Sequence, residues 1–450
     1  MKNGSISDDA IPCDYLIEAG WIIPIRPAGV VLRDHAVIVT GDVITAILPA
    51  VEAIQRYRPD EHIKKPDAVL MPGLVNAHCH NPMTLMRGVA DDLALMPWLN
   101  QHIWPIERAV MAPEYIIDGI ELAVAEMIRG GSTCCNENYF FPDAIAIAYQ
   151  RAGFRAAIGI PVIDFPSAWA TSRDEYFDKG LAVHDTYRSN PLLSFSMAPH
   201  APYTVNDAGF ERIRRYSEQL DLPVHCHLHE TRQEIADSME QYGQRPFARL
   251  DRLGLVNEHL AAVHMTQMTS AEIALCAERG VSVVHCPQSN LKLASGFCPS
   301  AALLAAGVNV AIGTDGCASN NDLDMFEELR TAALLAKAVA EDATAFKAFS
   351  ALEAATLSGA RAMGLENVIG SLQPGKQADL IIIDLARIEA MPLYDVISQL
   401  VYAGARHWVS DVWIAGRAKL RDYALKDMDI DRISANAKRW QKSITQVPRL

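Results

Sequence analysis

Eight times along the 450 residues, a short apolar run rich in β-branched side chains gives way to a polar or Gly/Pro-bearing turn. Each turn leads into a longer Ala/Leu/Glu-rich stretch. The runs are 68–80, 131–139, 155–164, 192–200, 223–230, 260–267, 281–290 and 308–315. A strand followed by a helix lays each new strand parallel to the last, and eight such units close a barrel. A (β/α)8 barrel of the TIM type is therefore expected, belonging to the α/β class. Segments 116–128, 208–220, 270–278 and 324–340 carry apolar residues at helical spacing with charges on the opposite face, as helices outside such a barrel require.

The ends of the chain read differently. Residues 16–63 and those after 370, with a Pro374-Gly375 turn before the apolar run to Asp384 and another run at 409–420, read as short strands and turns. The expected division is residues 1–70 as the first part of a small β-sandwich domain, 71–370 as the catalytic barrel, and 371–450 as the second part of the small domain. Residues 427–450 alternate charged and apolar side chains, which reads as a terminal surface helix with a loose end.

Charge narrows the function. Lys plus Arg number 40 against 54 Asp plus Glu, a net charge of −14, which disfavours a grip on nucleic acid or anionic lipid. No run approaches the roughly 18 apolar residues of a membrane span, and the opening segment carries Asp8 and Asp9 where a signal peptide needs an apolar core. The reading is a cytoplasmic protein with a small-molecule partner, no nucleic acid and no membrane. Nine cysteines, scattered from Cys13 to Cys317 and without paired CxxC motifs, read as reduced core residues.

In a parallel barrel the C-terminal strand ends converge on one rim, so polar residues concentrated there mark a site. The runs end in His78 and His80, His200, the series His225, His227, His229 and Glu230, then His264, His285 and Asp315. Alternation along a strand puts His78 and His80 on one side, where two imidazoles can share a metal. A third His and an Asp at the same level of other strands complete the ligand set of a catalytic metal with an open position for water. Periodicity cannot choose among His225, His227 and His229. His227 is taken as the ligand because it lies nearest the mouth while leaving Glu230 in the cavity, and His225 and His229 are read as hydrogen-bonded support. Glu230, beside a metal, suits proton transfer, against the plainer reading of an exposed ion-pairing Glu. Asp315 ends an apolar strand, where its carboxylate needs a cation or donor. His264 reads either as a water-orienting group or as a satisfied core histidine, and His285 as the latter.

These residues sit in motifs that resemble a known family. Pro72-Gly73-Leu74-Val75-Asn76-Ala77-His78-Cys79-His80, His227-Leu228-His229-Glu230-Thr231, Ala262-Val263-His264, His285-Cys286-Pro287-Gln288-Ser289-Asn290 and Gly313-Thr314-Asp315 resemble the amidohydrolase superfamily. Met83-Thr84-Leu85-Met86-Arg87-Gly88, Pro199-His200-Ala201-Pro202-Tyr203 and Ser319-Asn320-Asn321-Asp322-Leu323-Asp324-Met325 are similar to its 5'-methylthioadenosine/S-adenosylhomocysteine deaminases. The resemblance runs from the N-terminal β segment to about residue 420.

The resemblance implies His78, His80, His227 and Asp315 as ligands of one divalent metal, most simply zinc, although iron or manganese suit the same donors. One ion is implied rather than two because His200 stands where two-ion relatives carry a lysine. Glu230 and His264 would handle protons and orient water, with Asp315 as the other acceptor, and His200 would hydrogen-bond the purine. Glu107 would hold the ribose hydroxyls. Arg173 matches one of two arginines that bind the homocysteine carboxylate in some relatives, while the other place is apolar, near Ile160. A loop around Met96, Trp98 and Leu99 would offer an apolar pocket for a methylthio group. The implied reaction is hydrolytic deamination of an adenosine-type nucleoside: 5'-methylthioadenosine first, with S-adenosylhomocysteine and adenosine as further substrates, by a homodimer. The alternative on the same site is a guanine, other aminopurine or s-triazine hydrolase, which would have no use for Glu107. A non-catalytic scaffold is disfavoured because every ligand position is filled.

Overall fold

The computed structural model describes residues 10–448. The chain begins with four strands, β1 (Ile11–Ile22), β2 (His35–Thr40), β3 (Val43–Pro49) and β4 (Tyr57–Pro72), with a short helix Ala50–Arg56 before the last. Eight strands then build the barrel: β5 (Leu74–Cys79), β6 (Ser132–Glu137), β7 (Arg155–Val162), β8 (Leu193–Pro199), β9 (Val224–Leu228), β10 (Leu260–His264), β11 (Ser282–His285) and β12 (Asn309–Ile312). Each lies beside its sequence neighbour and all are parallel. This is the architecture that the eight recurrences implied.

The seam between β5 and β12 is closed largely by groups at and just beyond the strand ends. Asp315 N–H donates to the His78 carbonyl at 3.0 Å. The Asn76 side chain accepts from Thr314 N–H at 3.0 Å and donates to Thr314 Oγ1 at 2.8 Å. A side chain at Gly313 would stand 2.6 Å from the His78 nitrogen, so glycine is what lets the two backbones approach there. Seam and site thus share residues.

The run 68–80 divides into two strands of different sheets. Residues up to Pro72 belong to β4, Gly73 turns the chain, and β5 starts the barrel. A Cβ at Gly73 would lie 2.0 Å from Thr133 Oγ1 of β6, so only glycine fits at the crossing. Helices Pro113–Arg129, Asp207–Leu220, Ser270–Arg279 and Met325–Ala340 occupy the four segments expected to be helical. A capping box of Thr269 and Glu272 starts the third, each side chain satisfying the other's backbone N–H.

The last strands, β13 (Leu380–Asp384), β14 (Val409–Ile414), β15 (Arg417–Arg421) and β16 (Ala424–Leu425), return to β4 and complete one mixed sheet in the order β16-β15-β14-β13-β4-β1-β2-β3. Strand alternation gives this sheet two apolar faces. Leu70, Ile382 and Trp413 pack with Ile17 and Val37 on one side, while Val69, Met71, Ile381 and Ile383 join the main core on the other. A buried bidentate ion pair joins Arg155 of β7 to Asp379, at 2.8 and 3.1 Å.

Residues 430–445 form the expected terminal helix, which is anchored to the barrel, while the last two residues of its expected loose end lie outside the described residues. Asn436, Arg439 and Trp440 all donate to Asp118 of the helix Pro113–Arg129, and Ile433 and Ile444 are buried. All nine cysteines are buried and free. Among the described residues, no helix is long and apolar enough to cross a membrane.

One core carboxyl gives a test of the packing. Glu137, at the end of β6, is fully buried and accepts from Asn81 N–H at 3.1 Å and from the Tyr149 hydroxyl at 2.8 Å. Burial pushes its pKa up to about 8. The folded state therefore holds this proton more tightly than the unfolded chain. Its contribution is fully favourable at pH below the usual carboxyl value and is lost as pH rises toward 8. Glu137→Gln is expected to flatten the fall in thermal midpoint across that range by several degrees. Identical slopes for the variant and the parent would refute this account.

Candidate active site

Every strand end that carries a candidate residue opens on the same mouth. Three of these residues take left-handed backbone angles, His229 (φ +52°), His264 (φ +74°) and Asp315 (φ +62°). Non-glycine residues in this region carry strain that the surrounding fold must hold, a frequent mark of functional turns. Here the turns come at the ends of β9 and β10 and three residues past the end of β12.

The structure brings His78, His80, His227 and Asp315 together. Asp315 Oδ1 lies 3.3 Å from His78 Nε2 and 3.3 Å from His80 Nε2, and the Nε2 atoms of His80 and His227 are 3.3 Å apart. The opposite nitrogens are occupied. His80 Nδ1–H donates to the Asn138 carbonyl and His227 Nδ1–H to the His200 carbonyl, the latter at 2.7 Å. His78 Nδ1 meets His225 Nε2 at 2.7 Å. The Nε2 lone pairs of His80 and His227 are thus turned toward a common point, and the buried Nε2 of His78 makes no hydrogen bond.

Burial pushes the imidazoles toward neutrality, His78 down to about 4, with His80 and His227 lowered for the same reason. Burial alone would raise Asp315, but the imidazoles of His78 and His80 close against it hold it well below the usual carboxylate range. Neutral imidazoles beside an ionised carboxylate are the protonation states that a divalent ion requires. Ligand bonds of about 2.0–2.1 Å to one ion bring neighbouring donor atoms to about 3 Å from one another, close to the separations seen here. The donor set fits a metal.

Beside this cluster opens a cavity of about 430 Å³, into which Glu230, His264, His200 and Glu107 all face. Burial, reinforced by the Asp315 charge, pushes Glu230 up to about 8. Its Oε2 lies 3.9 Å from His264 Nε2, and His264 Nδ1–H is held at 2.9 Å by Asn290 Oδ1. His200 places Nδ1 3.3 Å from Thr204 Oγ1. Glu107 sits on the helix Trp104–Val110, buried, and accepts from the Tyr139 hydroxyl. Burial pushes it up to about 7. The remaining wall is mostly apolar, with Trp98, Leu99, Ile103, Met111 and Phe165 prominent.

Other candidates stand outside the cavity. His225 lies deeper on the same strand face, against His78. His229 is turned away by its backbone and accepts from Phe247 N–H at 3.0 Å. His285 is buried off the cavity wall, and Met96 is exposed while its neighbours Trp98 and Leu99 line the wall. Sequence reasoning gave no role to Tyr139, Ser289, Asn290 or the loop Phe165–Ala168. Tyr139 closes the second apolar run, and that position at the rim was the available signal.

Arg173 is not brought into the cavity. Its guanidinium is taken up by Asp164 Oδ1 at 3.1 Å and Asn206 Oδ1 at 2.7 Å, at the start of the helix Arg173–Tyr187. Arg173→Gln is accordingly expected to leave the ratio of kcat/KM for S-adenosylhomocysteine over 5'-methylthioadenosine within about twofold of the parent. The effect of losing a half-exposed ion pair is small. A tenfold fall in that ratio would return Arg173 to the substrate.

A parallel eight-stranded barrel with three imidazoles and a carboxylate meeting at its C-terminal mouth is the construction of a hydrolase that works with a metal. The chain belongs to the amidohydrolase family, whose model matches residues 69–419. Among curated proteins it is 49% identical to the 5-methylthioadenosine/S-adenosylhomocysteine deaminase of Teredinibacter turnerae, over 96% of this chain and 98% of that one. Among solved structures it matches an adenosine deaminase from Xanthomonas campestris with bound zinc, at 64% identity and a TM-score of 0.96, covering 97% of this chain and all of the other. A guanine deaminase from C. acetobutylicum shares the fold, with a TM-score of 0.79 at 20% identity over 90% of this chain and 99% of that one.

Proposed function

We propose that this protein hydrolytically deaminates adenosine-type nucleosides, converting 5'-methylthioadenosine to 5'-methylthioinosine and ammonia, with S-adenosylhomocysteine and adenosine as further substrates. The observation that carries the reading is Glu107, a buried carboxylate in the same cavity as Glu230 and the His/Asp cluster. A free purine base has no ribose to place against it, whereas the two ribose hydroxyls of a nucleoside are natural donors to a carboxylate. The apolar wall suits a neutral thioether beyond the sugar.

His78, His80, His227 and Asp315 would hold a single zinc ion, whose contribution is to make water acidic enough to attack at neutral pH. The rest falls to side chains. His200 hydrogen-bonds the purine and Glu107 the ribose, which fixes the amine-bearing carbon over the attacking water. Glu230, protonated at neutral pH, gives its proton to the adjacent ring nitrogen as the water oxygen bonds to carbon. His264 or Asp315 takes the first proton from the water. Of the water's two protons, one leaves with the amine as ammonia and the other restores Glu230. The product keeps the proton on its ring nitrogen and gains a carbonyl.

An ultraviolet assay of the zinc-loaded protein tests this, with 5'-methylthioadenosine, S-adenosylhomocysteine, adenosine and guanine compared and ammonia measured. The nucleosides are expected to turn over, 5'-methylthioadenosine fastest. Activity confined to guanine or an s-triazine would overturn the substrate reading and leave Glu107 without its role.

A further inference from the structure

The motif His285-Cys286-Pro287-Gln288-Ser289-Asn290 contributes no side chain to the cavity wall, yet two of its members reach groups that do. Ser289 and Asn290 are both buried, in the short helix Pro287–Lys292 that follows β11. Ser289 Oγ–H donates to Asp315 Oδ2 at 2.6 Å, and Asn290 Oδ1 accepts from His264 Nδ1–H at 2.9 Å. Consecutive residues on a helix point about 100° apart. Strand β11 lies between β10, which ends in His264, and β12, which leads to Asp315. One helical turn on the middle strand therefore reaches both neighbours.

We propose that Ser289 and Asn290 are paired positioning residues, which fix the orientation of Asp315 and the tautomer of His264 for the proton transfers of deamination. The inference rests on the roles assigned above to Asp315 and His264. Asp315 Oδ1 faces His78 and His80 and also receives Gly316 N–H at 2.7 Å, so the Ser289 hydroxyl on Oδ2 stops the carboxylate from rotating. Asn290 holds the His264 proton on Nδ1, which leaves a bare Nε2 toward Glu230. The turn itself is tied down. The buried Glu328 carboxylate accepts from Gln288 N–H at 3.3 Å and from Asn320 Nδ2–H at 2.5 Å, and the same amide donates to the Thr314 carbonyl at 2.7 Å.

The test compares Ser289→Ala, Asn290→Leu and Asn290→Asp with Asp315→Ala and His264→Ala, all at saturating zinc and saturating nucleoside. Ser289→Ala and Asn290→Leu are expected to lower kcat by about 10–100-fold, with KM within about twofold and melting temperature near that of the parent. Asn290→Asp keeps the acceptor and is expected to stay within about fivefold of the parent while Asn290→Leu, of similar bulk but without an acceptor, does not, a split that a purely packing role would not produce. Should Asn290→Leu fail to fold, Ser289→Ala and the Asp variant still decide the matter. If Asp315→Ala and His264→Ala lose turnover while Ser289→Ala keeps its kcat, this inference alone is overturned. If Asp315→Ala and His264→Ala turn over normally, the catalytic reading and this inference fall together.

Discussion

Glu230→Gln is expected to bind metal as the parent does and to lose turnover by about 10²–10⁴-fold, the usual range for a positioned acid or base. The substitution preserves shape and hydrogen-bonding reach, and Glu230 is not among the four residues, His78, His80, His227 and Asp315, proposed to hold the metal. What it removes is a transferable proton. Burial and the nearby Asp315 push Glu230 up to about 8, so at neutral pH the side chain carries that proton into the reaction. An amide holds its hydrogens too tightly to give one to a ring nitrogen. Metal analysis and steady-state kinetics on one preparation settle the point. A kcat within threefold of the parent would exclude Glu230 as the proton donor.

The second large effect is expected at Glu107. Hydrogen bonds to a charged group contribute about 1.5–3 kcal/mol each, so losing the carboxylate that holds two hydroxyls should lower kcat/KM for nucleosides by about 10²–10⁴-fold. Glu107→Ala should also lose preference between adenosine and 2'-deoxyadenosine, because the partner that senses the missing hydroxyl is gone. A pH signature accompanies it. Burial pushes Glu107 up to about 7, and ribose hydroxyls donate to the ionised form. Below that pH, binding must first expel a proton, so KM for nucleosides should fall as pH rises from about 6 to 8. A variant that still prefers the ribo substrate by the parental factor would remove Glu107 from the sugar.

Much of this was legible in the order of residues. Eight apolar runs gave eight barrel strands because burial on both faces imposes a continuous hydrophobic signature. The division at Gly73 was not legible, since an apolar strand leaving one sheet looks the same as one entering another. His78 and His80 were visible through alternation as a pair on one strand face. The choice among His225, His227 and His229 depended on depth in the barrel and on the left-handed turn at His229, neither of which periodicity carries. Ser289 and Asn290 were quoted only as part of a motif. Their partners Asp315 and His264 become neighbours through strand order, which no local pattern encodes. Glu107 was found by resemblance alone, because a glutamate on a short helix reads as surface until the helix is placed over the mouth. Its donor Tyr139 comes from the loop just after β6.

The sheet built from both ends of the chain has a consequence for synthesis. Strand β4 pairs on one side with β1, already made, and on the other with β13, where Leu70 faces Ile382. On the ribosome every barrel strand is translated before that second partner exists. A nascent chain must therefore carry an apolar, unsatisfied β edge through most of its elongation, the kind of edge that recruits other chains. Translation speed and chaperone supply, rather than the stability of the finished enzyme, should govern how much soluble protein a cell obtains.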